Sequence, residues 1–390
     1  MSEELNTAAI QAEQEKIEKI KTSLVKLRDK ESKYLICIPE SQNPSASVYE
    51  LYFHATVMKN MGYEVIVLIE RGDYTAPTWI EKELTNHKHM SIADPKLTVG
   101  PEDIMLIPEI YSNVMEQTKN LPCVRIGIIQ SVDYMVNSLI PGTDWSSFGI
   151  RDIITTSQTL KELVETFYGL NKFNIVVYNL GIPEYFQKSK IPQKPIISVV
   201  GRNANEISKF VKLFFSRFPQ YSWVTFDPML TKSKPPQAMR RVDFAKRLSG
   251  NFAAIWIDRI ASFGTFPLEC MKVGTVPICL KPDVMPDYML ERDENGVVVK
   301  VVEGAGVWTD NFYDLPVLAG EVLIKFLDDS ITPALYESMD AIAAKYTQEG
   351  AEAALQKIYQ SYIDQRINLL QAALVPAAVP QIETIPYQPK

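Results

Sequence analysis

Residues 253–280 read AAIWIDRIASFGTFPLECMKVGTVPICL. An apolar run ends at Ile257 and is followed by Asp258, Arg259 and a loop containing Gly264. Pro267 suits the first position of a helix, where its missing N–H leaves nothing unsatisfied. A second apolar run, 275-TVPICL-280, follows that helix. Strand, loop, helix and strand with continuous apolar strands predict a parallel sheet covered on both faces. Amides around Thr265, Phe266 and Leu268 then point out of the helix start, the arrangement that binds phosphate. Glu269, in the first turn, is placed to accept two ribose hydroxyls, at about 1.5–3 kcal/mol per charge-assisted bond. It equally fits a plain helix-capping role worth about 1 kcal/mol or less. The segment alone leaves both open.

Working outward, the same alternation fills most of the 390 residues. Strand-like runs lie at 34–38, 64–69, 103–107, 124–129, 152–156 and 174–178, with an amphipathic helix over 47–61. The Lys/Pro-rich stretch 187-QKSKIPQKP-195 reads as a linker. Beyond it the alternation restarts with 196-IISVV-200, a helix over 206–218, 222-SWVTF-226 and the opening segment. Residues 7–32 predict a charged helix and 333–375 a helical region, and 376–390 is a Pro-rich tail. The length exceeds one ordinary core, so two parallel α/β units flanking a cleft are expected, with ligands at the carboxyl ends of strands.

Composition narrows the function. No run approaches the ~20 apolar residues of a membrane span, and the polar start lacks a signal-peptide core, so a cytoplasmic protein is expected. Cys37, Cys123, Cys270 and Cys279 form no C-x-x-C pair and read as buried free thiols. With three histidines, of which His87 and His89 read as surface, no metal centre is expected. A net charge of −7 opposes broad binding to a polyanion. A basic stripe at Lys232/Lys234 or Arg240/Arg241/Lys246/Arg247 is the counter-indication, and reads more simply as a solvated face.

The segment SFGTFPLECMKVGTVPIC resembles the donor-site signature of GT-B glycosyltransferases, particularly the large retaining family four. There a glutamate, seven residues and a second glutamate run across GFG…LEAM…G-P-V. The resemblance extends to 154-ITTSQTLKELVETFYGLNKFNIVVYNLGIPEYF-186, 197-ISVVGRNANEISKF-210 and 291-ERDENGVVV-299. It implies an α/β chain of two Rossmann-like domains (GT-B architecture) with an interdomain cleft, plus an N-terminal helix and C-terminal helices. The implied divisions are an N-terminal helical extension (1–33), an acceptor domain (34–186) and a nucleotide-sugar domain (187–350). C-terminal helices (351–375) pack back on the first domain, before the tail (376–390).

The resemblance also implies chemistry. Glu269 would hold the donor ribose, and Gly264, Thr265 and Phe266 would give amides to the diphosphate. Arg202 and Lys209 would meet the phosphates. The signature's first glutamate falls on Ala261, which leaves Asp258 or Arg259 for the sugar end, or a different sugar, or an impaired site. Glu40, Glu109, Gln130, Ser131 and Asp133 each follow a strand of the first unit and read as ordinary loop caps or, in an inverting enzyme only, as an acceptor-side base, for which Asp133 is the candidate. Phe244 reads as a core residue ahead of a base-stacking one. The expected activity is transfer of a sugar from a nucleoside-diphosphate sugar to an acceptor hydroxyl, with no metal or other cofactor. DNA carrying a hydroxylated base is one acceptor alternative; a non-catalytic binding or scaffold protein is another.

Overall fold

The computed structural model describes residues 2–72, 74–201, 203–228, 239–259, 263–302 and 304–374. After a helix, Ser2–Arg28, come β1 (Lys33–Cys37), β2 (Glu64–Ile69), β3 (Lys88–Ser91), β4 (Ile104–Pro108), β5 (Val124–Ile129), β6 (Asp152–Thr155) and β7 (Asn174–Val177). They pair in parallel in the order β3-β2-β1-β4-β5-β6-β7. A second sheet holds β8 (Lys194–Val200), β9 (Thr225–Pro228), β10 (Asn251–Trp256) and β11 (Val276–Leu280). An antiparallel hairpin follows, β12 (Leu290–Arg292) with β13 (Val298–Val301), and β14 (Val307–Thr309) completes the second sheet. Its order is β14-β11-β10-β8-β9, again parallel. Every residue of β4, β10 and β11 is buried, as strands covered on both faces require.

Each sheet has a point where strand order reverses: between β1 and β4 in the first, and between β8 and β10 in the second. Crevices that take ligands lie outside the carboxyl ends of strands at such points. The loops there carry Glu40 and Glu109 in the first sheet. In the second, the loop after β10 runs through Asp258 and Arg259 toward Gly264.

Several boundaries move from expectation. The linker is shorter, because Lys194 already begins β8. The run 222–226 pairs only from Thr225. His87 and His89 are not surface residues: β3 adds an edge strand, and both imidazoles are half-buried. His89 Nε2 lies 3.0 Å from Tyr52 Oη and His87 Nε2 3.3 Å from Thr56 Oγ1. All four cysteines are free and buried. No described helix is long and apolar enough to cross a membrane. The tail from 375 lies outside the described residues.

The halves are stitched together at several places. The last helix, Gln348–Ala372, packs on the helices Ala46–Asn60 and Ser2–Arg28 of the first half. A buried polar chain fixes it there. Tyr359 Oη lies 2.5 Å from Tyr34 Oη and 2.6 Å from His54 Nδ1. On the other side, His54 Nε2 lies 2.7 Å from Tyr178 Oη, which donates to Glu50 Oε1 at 2.8 Å. Burial lowers the His54 pKa to about 3, so the ring is neutral, with Nδ1 accepting and Nε2 donating. Burial pushes Glu50 up to about 7, against the pull of Tyr178 and Arg241. A second stitch joins the turn before β12 to the helix Gln158–Tyr168. Asp287 accepts from the amides of Gln158 (2.5 Å) and Thr159 (3.1 Å), a carboxylate on the positive end of a helix. Arg292 adds a bond to Glu162 at 2.5 Å.

Candidate functional site

The helix of the opening segment spans Thr265–Val273, and its N-cap is Gly264. Pro267 is therefore its third residue rather than its first. Gly264 has φ 66°, and a Cβ there would come 2.7 Å from Trp256 Cη2 and 2.9 Å from Tyr288 Oη. Only glycine satisfies both the backbone and the packing. Tyr288 donates to the Gly264 carbonyl at 2.7 Å and so pins the turn. No side chain among the described residues caps this helix start. With Gly264 at the N-cap, Leu268 is placed for the first intrahelical bond. The outward amides are those of Thr265 and Phe266. Thr265 is half-buried, while Phe266 is buried with its ring centroid 6.1 Å from that of Phe244. Phe244 packs against the core, so the core reading holds for it.

Glu269 projects from this helix into a buried seam. Arg241 Nη2 lies 2.5 Å from its Oε1, with both side chains about one-tenth exposed or less. Arg241 opens the helix Arg241–Ser249. Its guanidinium carbon sits 4.0 Å from the centroid of Tyr49 in the first half and 5.6 Å from that of Phe186. Its amide donates to the Trp79 carbonyl at 3.0 Å. Burial works against the Arg241 charge, but Glu269, Tyr185, Tyr49 and Glu81 more than offset that and keep the guanidinium ionised. Burial pushes Glu269 upward, and Arg241 opposes it. Nothing local in the sequence signals this pair: the partners lie 28 residues apart on different elements.

The remaining expected residues scatter around this centre. Asp258 is buried beyond β10, and Arg259 is exposed, its carbonyl accepting from the Asp283 amide at 3.0 Å. Lys209 is exposed and engaged: Nζ donates to Tyr313 Oη at 2.6 Å and stands 4.4 Å from that ring's centroid. Arg202, Ala261 and the Lys232/Lys234 pair lie outside the described residues. Of the rest of the basic stripe, Arg240 pairs with Asp243, Arg241 with Glu269, and Arg247 with Asp227. Three of the four basic residues at 240–247 are compensated in this way, while Lys246 is exposed, which leaves a weaker field for a polyanion.

Just beyond the carboxyl end of β4, the central strand of the first sheet, Glu109 differs from Glu40 and Asp133. Its Oε1 accepts from the amides of Gln130 (3.0 Å) and Ser131 (2.9 Å), whereas Oε2 is buried with no partner among the described residues. Burial pushes it up to about 7, against those amide bonds. Asp133, one loop away, is half-buried in the first turn of the helix Val132–Ser138. Glu40 is tied to Arg71.

No family model and no curated protein matches the chain. Solved structures do. Sucrose-phosphate synthase from Thermosynechococcus elongatus aligns at a TM-score of 0.58 and 12% identity, over 86% of this chain and 100% of that one. The chain has the GT-B fold. A glycosyltransferase from Rickettsia africae ESF-5 aligns at 0.56 and 11%, covering 86% of this chain and 98% of its own. In GT-B terms the two sheets are the two Rossmann-like domains. Gly264, Thr265, Phe266 and Glu269 follow β10 of the second sheet, and Glu109 and Asp133 follow strands of the first.

Proposed function

We propose that the protein is a glycosyltransferase moving a sugar from a nucleoside-diphosphate sugar to an acceptor hydroxyl. The observation that carries this is the helix start at Gly264: uncapped by any described side chain, obligatorily glycine, and at the strand-order reversal of a parallel sheet. In this reading the amides of Thr265 and Phe266 hold the diphosphate, Glu269 takes the ribose, and Asp258 or Arg259 faces the sugar. Residues 34–186 serve the acceptor and 187–350 the donor.

As the bond from the anomeric carbon to the diphosphate breaks, negative charge grows on the leaving oxygens. The helix dipole, Arg202 and Lys209 meet it, so no metal is needed. Lys209 must first leave Tyr313. In an inverting reaction the acceptor oxygen bonds to the anomeric carbon and its proton passes to a carboxylate. Glu109, with a buried oxygen that has no partner among the described residues and a pKa of about 7, suits that role better than Asp133, the choice from sequence. A retaining reaction would not require it.

The sealing of Glu269 by Arg241 favours one other reading, a GT-B-like binding protein without turnover. The pairing of Arg240, Arg241 and Arg247 with acids weakens the case for DNA as acceptor at the described part of the basic stripe. A panel of nucleotide sugars scored by diphosphate release, with and without sugar, lipid and hydroxylated-DNA acceptors, separates these. Release with one donor supports transfer. A melting shift with uridine or guanosine diphosphate but no release supports the binding protein. Neither response from any nucleotide refutes the site.

A further inference from the structure

We propose that Arg241 is a self-inhibitory latch, sealing the ribose carboxylate Glu269 while tying the two halves together, so that a nucleotide binds only once it opens. This rests on the reading of Glu269 as the ribose ligand.

A ribose diol needs an accessible carboxylate. Glu269 offers little: its side chain is 8% exposed and Arg241 Nη2 occupies Oε1. The other contacts of Arg241 run toward the first half and the connecting segment, namely the Trp79 carbonyl, the Tyr49 ring and the Phe186 ring. The first residue of a helix has an amide with no intrahelical acceptor, which is why Arg241 can bond outward to Trp79. The closed seam and the sealed carboxylate are therefore one arrangement, and separating the halves removes the aromatic faces that hold the guanidinium over Glu269.

The arrangement is also incomplete. Arg241 Nε is buried with no partner among the described residues. A buried donor left unmet opposes the closed state and is relieved when the side chain swings into water. A buried ion pair adds little net stability, so the latch is poised rather than permanent.

The test is titration calorimetry of the full chain with uridine and guanosine diphosphate, comparing wild type, Arg241→Met and Tyr49→Leu. Methionine keeps the apolar stem without the charge, and Tyr49→Leu removes the aromatic face without touching the nucleotide side. Both variants are expected to bind the same nucleotide about tenfold more tightly, as a raised fraction of open protein requires. If Arg241→Met does not fold, Tyr49→Leu carries the test. Unchanged or weaker binding in the variants overturns the latch and leaves the nucleotide site standing. Tightening in Arg241→Met alone overturns the tie to the first half. No binding by any of the three proteins overturns both the latch and the site.

Discussion

Replacing Gly264 by alanine should destabilise the protein by about 2–5 kcal/mol, the sum of a backbone and a packing contribution. Gly264 has φ 66°, where an L-residue pays roughly 1–2 kcal/mol. The added methyl would sit 2.7 Å from Trp256 Cη2 and 2.9 Å from Tyr288 Oη, both inside ordinary contact. Neither neighbour can retreat easily. Trp256 is buried in β10, and Tyr288 is buried with its hydroxyl bonded to Gly264 itself. Overpacking of this kind adds roughly 1–3 kcal/mol. Gly142 provides the control: it has φ 85° with nothing within 4 Å of its Cβ position, so Gly142→Ala carries the backbone contribution alone. Urea denaturation of both variants isolates the clash as their difference. Relief of the clash would shift the start of the helix Thr265–Val273 and with it the outward amides, so nucleotide affinity should fall in Gly264→Ala only. If the two alanine variants lose equal stability and bind nucleotide equally well, the picture of a glycine-tight phosphate turn is wrong.

Three further outcomes are expected. Glu109→Gln should abolish donor turnover in an inverting enzyme, and the wild-type rate should climb with pH and level off above about 7, where the carboxylate is the basic form; a flat profile with an active variant would remove Glu109 from the chemistry. Glu50 has its folded pKa raised to about 7 from 4.5, so its contribution is complete below 4.5 and is lost as pH rises through 7. Glu50→Gln should therefore gain on wild type between about pH 5 and about pH 8 by as much as about 3 kcal/mol, read from paired denaturation curves; an unchanged difference argues against a buried ionising carboxyl. Tyr359→Phe strips the hydroxyl between Tyr34 and His54 and should cost about 1–3 kcal/mol by urea denaturation, whereas a loss below about 0.5 kcal/mol would mean that water replaces the bond.

Much of the scaffold was legible because buried parallel strands leave a plain signature. The runs at 64–69 and 124–129 match β2 and β5 residue for residue, being apolar on both faces with polar punctuation at each end. β3 and β13 left no such trace. β3 is KHMS, partly exposed at a sheet edge, and β13 is a valine run exposed throughout, kept extended by its hairpin partner rather than by a core. Side-chain pairings across long separations were equally invisible. The basic residues 240–247 looked like one stripe, but two of the arginines reach acids on other elements, Glu269 and Asp227. Charge read along a chain says nothing about charge compensated in space.

The two edges of the cleft were legible to different degrees for a physical reason. In the proposed transferase the nucleotide is held by backbone amides, and what exposes them is a glycine and a helix start, features written into consecutive residues. In the inverting form of that proposal the acceptor is met by a side chain whose proton affinity is tuned, and tuning comes from burial. Glu40, Glu109 and Asp133 are each a carboxylate following a strand and look alike in sequence. Only in the fold does Glu40 pair with Arg71, Asp133 fall in the first turn of an exposed-faced helix, and Glu109 enter the interior with one oxygen satisfied by two amides and the other without a partner among the described residues. Desolvation without a cation partner is what brings a carboxyl near neutrality. Position in the sequence therefore does not distinguish these three carboxylates, and environment does: Glu109 is the one whose pKa burial raises to about 7.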